Sequence, residues 1–334
     1  MASAHGTTRV VALLMLCLAG AARAQGEKRT SSSARTTPAR SAALRITLLG
    51  TGNPRPSLER FGPSILVEAG GKKMLVDAGR GATIRLFQLG KGSLLRSVDA
   101  VLLTHLHSDH TVGLPDLWLT GWILGRKTPL AVYGPAGTRA MMLGLERAYE
   151  ADIHIRRDLD EHFPAAGIAV EATDVEPGIV FEKDGLKVTA FAVDHRPVTP
   201  AYGYRIDYQG RSVVFSGDTR PSDNLVEHAR GADVLVHEVV SPEVERRASE
   251  TDPAVIGKII AHHTTPEDAG RIFARVRPRL AVYSHIVPSP ATAADLLPAT
   301  RKTYRGWVVV GEDLMTITVG AHIGVAKRKT IPDR

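Results

Sequence analysis

The stretch Asp99-Ala-Val-Leu-Leu-Thr-His105-Leu-His107-Ser-Asp109-His110 decides how this chain is read. A short apolar run closed by polar residues has the pattern of a buried strand. Side chains two apart on an extended backbone point the same way, so His105 and His107 can grip one metal ion. As the chain turns into a helix, Asp109 and His110 are aimed at a second position. A polar turn of hydrogen-bonded histidines would need a separate partner for each ring, whereas a metal site satisfies them together.

Working outward, RITLLG (45–50) reads as a strand, and SILVEAGGKKMLVDAG (64–79) as a hairpin about the Gly70-Gly71 turn. Helical periodicity follows in ATIRLFQLG (82–90), and LPDLWLTGWILG (114–125) is more helical than extended. TPLAVYGP is a strand, and GTRAMMLGLERAYEADI spaces its apolar residues as an amphipathic helix. DGLKVTAFAVDH, AYGYRIDYQGRSVVFSGDT and ADVLVHEVV give further strands, with a Gln209-Gly210 turn inside the second. Thr265 caps the helix TPEDAGRIFARVRP, and RLAVYSHIVP is a last buried strand. Strands in two sets with helices between them predict an α/β protein, a four-layer αββα sandwich. Three polar residues close strands of the second set: His195, Asp218 and His285. Strand ends surround the crevice where ligands collect in layered α/β folds, so these residues can converge on the histidine loop.

In order along the chain, ITLLGTGNPRPS, LVDAGRG, LLTHLHSDHTVG, VYGPAGT, DHRPVTPAYGYRI, FSGDTR, LVHEVV, HTTPEDAG and YSH resemble the metallo-β-lactamase-fold hydrolases, in their tRNase Z and arylsulfatase-like branch. The resemblance implies that His105, His107 and His195 hold one metal, that Asp109, His110 and His285 hold a second, and that Asp218 bridges them. Two divalent ions about 3.5 to 4 Å apart acidify a shared water and neutralise both oxygens of a displacement. With only nitrogen and oxygen donors, two zinc ions are the first expectation, and manganese or iron fit the same set. Asp77 in LVDAG is expected to hydrogen-bond a ligand or nearby backbone, with a plain strand-end turn as the competing reading. Glu238 and His263 match the pair that protonates the leaving oxygen in the tRNase Z branch, with His262 the adjacent competitor, and Asp109 would also orient the nucleophile. Trp118 and Trp122, four apart on a helix near the metal loop, and Tyr202 beyond His195 are pocket candidates.

The amino terminus sets a second theme. Arg9, the apolar run Val10–Ala22 and Ala22-Arg23-Ala24 have the anatomy of a secretory signal over 1–24, followed by a Ser/Thr/Arg-rich tether over 25–42 and a hydrolase domain over 43–334. That apolar run is shorter than the roughly twenty residues a bilayer demands, so no stable membrane anchor is expected and the chain reads as secreted or periplasmic. Cys17, the sole cysteine, falls within the signal, which leaves metal binding to His, Asp and Glu. The formal charge of +7 contains +2 from the signal and +3 from the tether, so the folded part carries only about +2.

These features steer the functional expectation away from RNA. The tRNase Z resemblance implies a long arm between the third histidine motif and the bridging aspartate, yet only 22 residues separate His195 from Asp218. Without the arm or a basic excess, the expected partner is a small-molecule ester, a phosphodiester or aryl sulfate, and no nucleic acid. The resemblance admits a homodimer. A tRNA 3′-processing endoribonuclease is the alternative, followed by β-lactam or lactone hydrolysis and a non-catalytic metal-binding protein.

Overall fold

In β1 (Leu44–Gly50), Leu44, Ile46 and Leu48 pack to one side and Leu49 to the other, and this alternation recurs through both sheets. The computed structural model describes residues 44–327, which fall within one compact unit spanning Arg40–Arg334. The expected signal and tether, residues 1–42, lie outside the described residues. Among the described residues no helix is long and apolar enough to cross a membrane.

The first half continues with β2 (Ser64–Ala69), β3 (Lys72–Val76), α1 (Ala82–Leu95), β4 (Ala100–Leu102), α2 (Ser108–Thr111), α3 (Leu114–Ile123) and β5 (Leu130–Gly134). From there α4 (Thr138–Ala148), α5 (Glu150–His154), a π turn at Ile155–Leu159 and α6 (Ala165–Ile168) lead to β6 (Val170–Asp174). The second half holds β7 (Gly178–Lys183), β8 (Leu186–Ala192), β9 (Tyr202–Tyr208), β10 (Arg211–Phe215), α7 (Asp223–Ala229) and β11 (Val234–Val240). It closes with α8 (Pro242–Ala248), α9 (Pro253–His262), α10 (Pro266–Val276), β12 (Leu280–Val287), α11 (Ala293–Thr300), β13 (Val308–Val310), β14 (Thr316–Val319) and β15 (Ile323–Ala326). An eight-stranded sheet runs β15-β14-β1-β2-β3-β4-β5-β6, and a seven-stranded sheet β13-β12-β11-β10-β9-β8-β7. The carboxy-terminal hairpin therefore crosses back to pair with β1, Leu44 lying opposite Val319.

Three apolar layers separate four structural ones. Leu102, Val188, Val213, Val236 and Val282 meet between the sheets. Val101, Leu103 and Val132 face the helices that carry Leu86, Leu117 and Trp118, while Leu235, Ala281 and Tyr283 face those that carry Leu225, Ile272 and Phe273. Each aliphatic side chain fully buried in this way contributes about 1.5–3 kcal/mol. The architecture is the αββα sandwich. The order of strands also positions the site, because β3 and β4 in one sheet and β10, β11 and β12 in the other end at the same edge of the sandwich.

Candidate active site

The metal loop follows β4 and begins α2, and its shape depends on close backbone packing. A Cβ on Gly79 would lie 2.5 Å from the Asp109 carbonyl oxygen, so only glycine lets the loop lie against the turn after β3. Within that turn Asp77 takes a φ of +60°. Its Oδ1 accepts the Thr104 amide at 2.8 Å, and its Oδ2 accepts from His110 Nδ1, also at 2.8 Å. A carboxylate on Nδ1 fixes the ring so that Nε2 of His110 faces the other donors, and that buried atom has no hydrogen-bond partner. Asp77 thus does more than end a strand. Asp77→Asn should weaken metal binding by about 10- to 100-fold while the protein still folds. Zinc titration with a competing chelator measures this; unchanged affinity would remove Asp77 from the site.

The second sheet supplies the rest. His195 Nδ1 donates to the His262 carbonyl at 3.2 Å, which turns Nε2 toward His107 Nδ1, 3.4 Å away. His105 Nε2 lies 2.9 Å from that same His107 nitrogen, so three imidazoles converge on one point. Two residues of β12, Ser284 and His285, oppose the single Glu238 of β11, because the register slips between the pairs His237–Tyr283 and Val239–Ile286. His285 absorbs the slip with a φ of +43°, uncommon for a residue other than glycine, and its Nε2 reaches Asp109 Oδ2 and Asp218 Oδ2, each at 3.3 Å. Asp218 Oδ2 lies 3.4 Å from His110 Nε2 and 3.9 Å from both His105 Nε2 and His195 Nε2. It therefore stands between two donor groups, one of His105, His107, His195 and Asp218 and one of Asp109, His110 and His285; within each, the donor atoms lie within 4.8 Å of one another.

Protonation follows from this packing. Burial holds His105 well below its ordinary range and draws His195 down to about 4, so both offer lone pairs at neutral pH. Burial opposes the charged form of His110, yet Asp218, Asp77 and Asp109 together hold its pKa well above the ordinary value. Burial likewise opposes the carboxylate of Asp218, but His285, His110 and His105 keep it ionised far below the usual range. The seven side chains fit a divalent metal: imidazole nitrogens and carboxylate oxygens converge, with buried unpartnered atoms at His110 Nε2 and Asp218 Oδ1.

Beside the cluster, Glu238 Oε2 lies 3.2 Å from His263 Nδ1, while its Oε1 accepts the Thr264 amide at 2.8 Å. Burial would push His263 down, but the Glu238 carboxylate outweighs it and holds the imidazole up at about 9. His263 stacks 5.6 Å from His285, whereas His262 lies edge-on to His195 at 5.9 Å. His237 points away, into the core against Phe273. The cleft over the cluster has a volume of about 190 Å³ and is lined by Asn53, Pro54, Arg55, Glu245, Ile259 and Val287 along with the histidines and acids. Those six escaped the sequence reading. Glu245 carries no motif, and the GTGNPRPS resemblance touched Asn53, Pro54 and Arg55 without giving any of them a role.

The pocket expectation needs correction. Trp118 and Trp122 are fully buried in the core under α3, with their indole N–H groups donating to Ile168 O at 2.7 Å and Pro164 O at 3.0 Å. Tyr202 is also buried and donates to Val175 O. None of the three lines the cleft. Trp118→Ala should cost about 3–5 kcal/mol of stability in chemical denaturation and leave metal stoichiometry unchanged; a raised KM with intact stability would restore the pocket reading.

Residues 72–286 match the family model described as "Beta-lactamase superfamily domain". Ribonuclease Z of Mycobacterium avium (strain 104) is 36% identical over 285 residues, 83% of this chain and 99% of that protein. The chain belongs to the ribonuclease Z family. Ribonuclease Z of Mycolicibacterium paratuberculosis (strain ATCC BAA-968 / K-10) is 37% identical over the same shares. The crystal structure of human tRNase Z, short form, aligns with a TM-score of 0.61 and 24% identity, covering 82% of this chain and 99% of that one, which shows the shared fold. Membership in the ribonuclease Z family makes the chain a metal-dependent hydrolase and overturns two expectations: the small phosphodiester or aryl sulfate substrate, and the exclusion of nucleic acid. Net charge misled because it averages the whole surface, whereas a phosphate backbone responds to the potential near its own path. The interval between His195 and Asp218 does hold only β9, β10 and their loops, but between β5 and β6 the chain leaves the sheet from 135 to 169.

Proposed function

We propose that this protein is an endoribonuclease of the tRNase Z type, hydrolysing a phosphodiester bond of RNA at the 3′ side of a tRNA. The observation that carries the reading is the match to relatives named Ribonuclease Z along 99% of their length. In this reading His105, His107 and His195 would hold one zinc ion and Asp109, His110 and His285 a second, with Asp218 placed between the two groups. Bound there, the cations would supply an acidified water and neutralise charge growing on the phosphate. The chain's own residues do the rest. Asp77 and the His262 carbonyl fix the ring orientations of His110 and His195. His263, carrying its proton at neutral pH, hands it to the departing ribose oxygen, and Glu238 steadies the imidazolium left charged before transfer.

The test is cleavage of a transcribed tRNA carrying a 3′ trailer by zinc-loaded protein. A single endonucleolytic cut that stops on chelation is the expected result, and an intact precursor under full metal loading would overturn the reading. Export is a separate proposal, motivated by the signal-like residues 1–24. Amino-terminal sequencing of the protein from its native source should begin at Gln25, and a terminus at Met1 or Ala2 would reject export.

A further inference from the structure

Arg55 holds a singular position. It lies in the loop after β1, where Asn53 accepts its backbone N–H at 3.0 Å and in turn donates to the Ile286 carbonyl at 2.8 Å, beside His285. Among the described residues that line the metal cleft, Arg55 is the one arginine or lysine. The same side chain borders the neighbouring groove of Leu58, Ile84 and Val112, so it stands where the two meet. Its guanidinium pairs in fork geometry with Glu245, Nη1 donating to Oε2 at 2.8 Å and Nη2 to Oε1, and Nη2 also reaches Ser249 Oγ at 2.9 Å. The Glu245 side chain is fully buried, whereas the Arg55 side chain keeps 37% of its surface exposed.

This arrangement is a poor phosphate clamp. The charge of Arg55 is already matched by Glu245, and swinging out to a phosphate would strand a buried carboxylate. What the pairing preserves is a flat guanidinium face in a fixed orientation, the kind of surface on which unstacked bases settle. The partly exposed His262 lines the same cleft and offers a second planar group. At about 190 Å³ the cleft falls below the roughly 300 Å³ at which drug-sized pockets begin, room for one base rather than a duplex.

We propose that Arg55, held flat by Glu245, is the stacking wall for the nucleobase beside the scissile phosphate, and so determines which RNA end enters the cleft. The inference rests on the RNA-cleaving reading. The probe is a single-stranded RNA trinucleotide with phosphorothioate linkages and 2-aminopurine at its centre, titrated onto the zinc-loaded full-length protein. Binding should quench the 2-aminopurine fluorescence. Arg55→Lys keeps the charge and loses the plane, so it should abolish the quench and weaken binding about tenfold, the scale of one base-stacking contact, with zinc content unchanged. Because Glu245 left with a poorly fitting partner could unfold the protein, the double variant Arg55→Met/Glu245→Gln removes both charges and should show the same loss. Full quench and affinity in Arg55→Lys would overturn the proposal in favour of charge. So would full quench in the folded double variant, or no quench with the unsubstituted protein. The quench is read without cleavage: an uncut tRNA precursor with an Arg55-dependent quench defeats only the function proposed above, and a cut precursor with an Arg55-independent quench defeats only this inference.

Discussion

Asp218→Ala will leave the protein with less than its full metal complement and reduce RNA cleavage by more than about 10³-fold, exceeding the roughly 10- to 100-fold expected for residues that only orient a ligand. The reason is position. One carboxylate oxygen lies between 3.3 and 3.9 Å from nitrogens of His285, His110, His105 and His195, so its removal disturbs both donor groups together. It also removes the negative charge that offsets His110, whose pKa it helps to raise. Elemental analysis of the purified variant, alongside steady-state cleavage of a trailer-bearing tRNA, measures both effects. Full metal content with undiminished turnover would show that Asp218 does not join the two groups.

His263→Ala will lower kcat on RNA by about 10²- to 10⁴-fold and barely change the hydrolysis of an activated aryl phosphodiester. A ribose oxygen leaves as a strong base and needs a proton, whereas a nitrophenolate leaves without one. Equal losses on both substrates would mean that His263 supports the site rather than donating to the leaving group. The pH dependence carries the same signature. Glu238 holds the His263 imidazole at about 9, so the proton is present at neutral pH and lost as pH rises through that value. Glu238→Gln removes the negative charge, and the alkaline limb of the rate profile should then move to lower pH, toward the ordinary imidazole value near 6.5.

Much of the site was legible because its chemistry is local. His105 to His110 lie in one unbroken stretch, and strand ends such as SVVFSGD and RLAVYSH announce themselves by an apolar run closed by a polar residue. The cleft wall was not legible. Arg55 and Glu245 are 190 residues apart and each looks like a solvated surface charge until the fold brings them together. Helical spacing placed Trp118 and Trp122 on one face of α3, but no periodicity says whether that face meets the core or the cleft. The strands β6, β7, β13, β14 and β15 escaped for a related reason: they are three to six residues long and at best half buried, too little pattern to separate from loop. The functional misreading had another source, since neither the sum of charges nor a missing insertion says where an RNA strand would lie.

The donors come from both sides of the sandwich: His105, His107, Asp109 and His110 follow a strand of one sheet, while His195 and Asp218 follow strands of the other and His285 lies within its β12. A cation bound among them would act as a rivet through the seam, joining two plates that otherwise meet through apolar packing and a few hydrogen bonds such as Tyr204 Oη to the Leu103 carbonyl. A half-assembled chain owns only part of the socket, so it should grip ions feebly and cut nothing. Folding and competence to hydrolyse are thereby tied to one event, and the melting temperature should climb with free zinc as the occupied form is drained from the unfolding equilibrium.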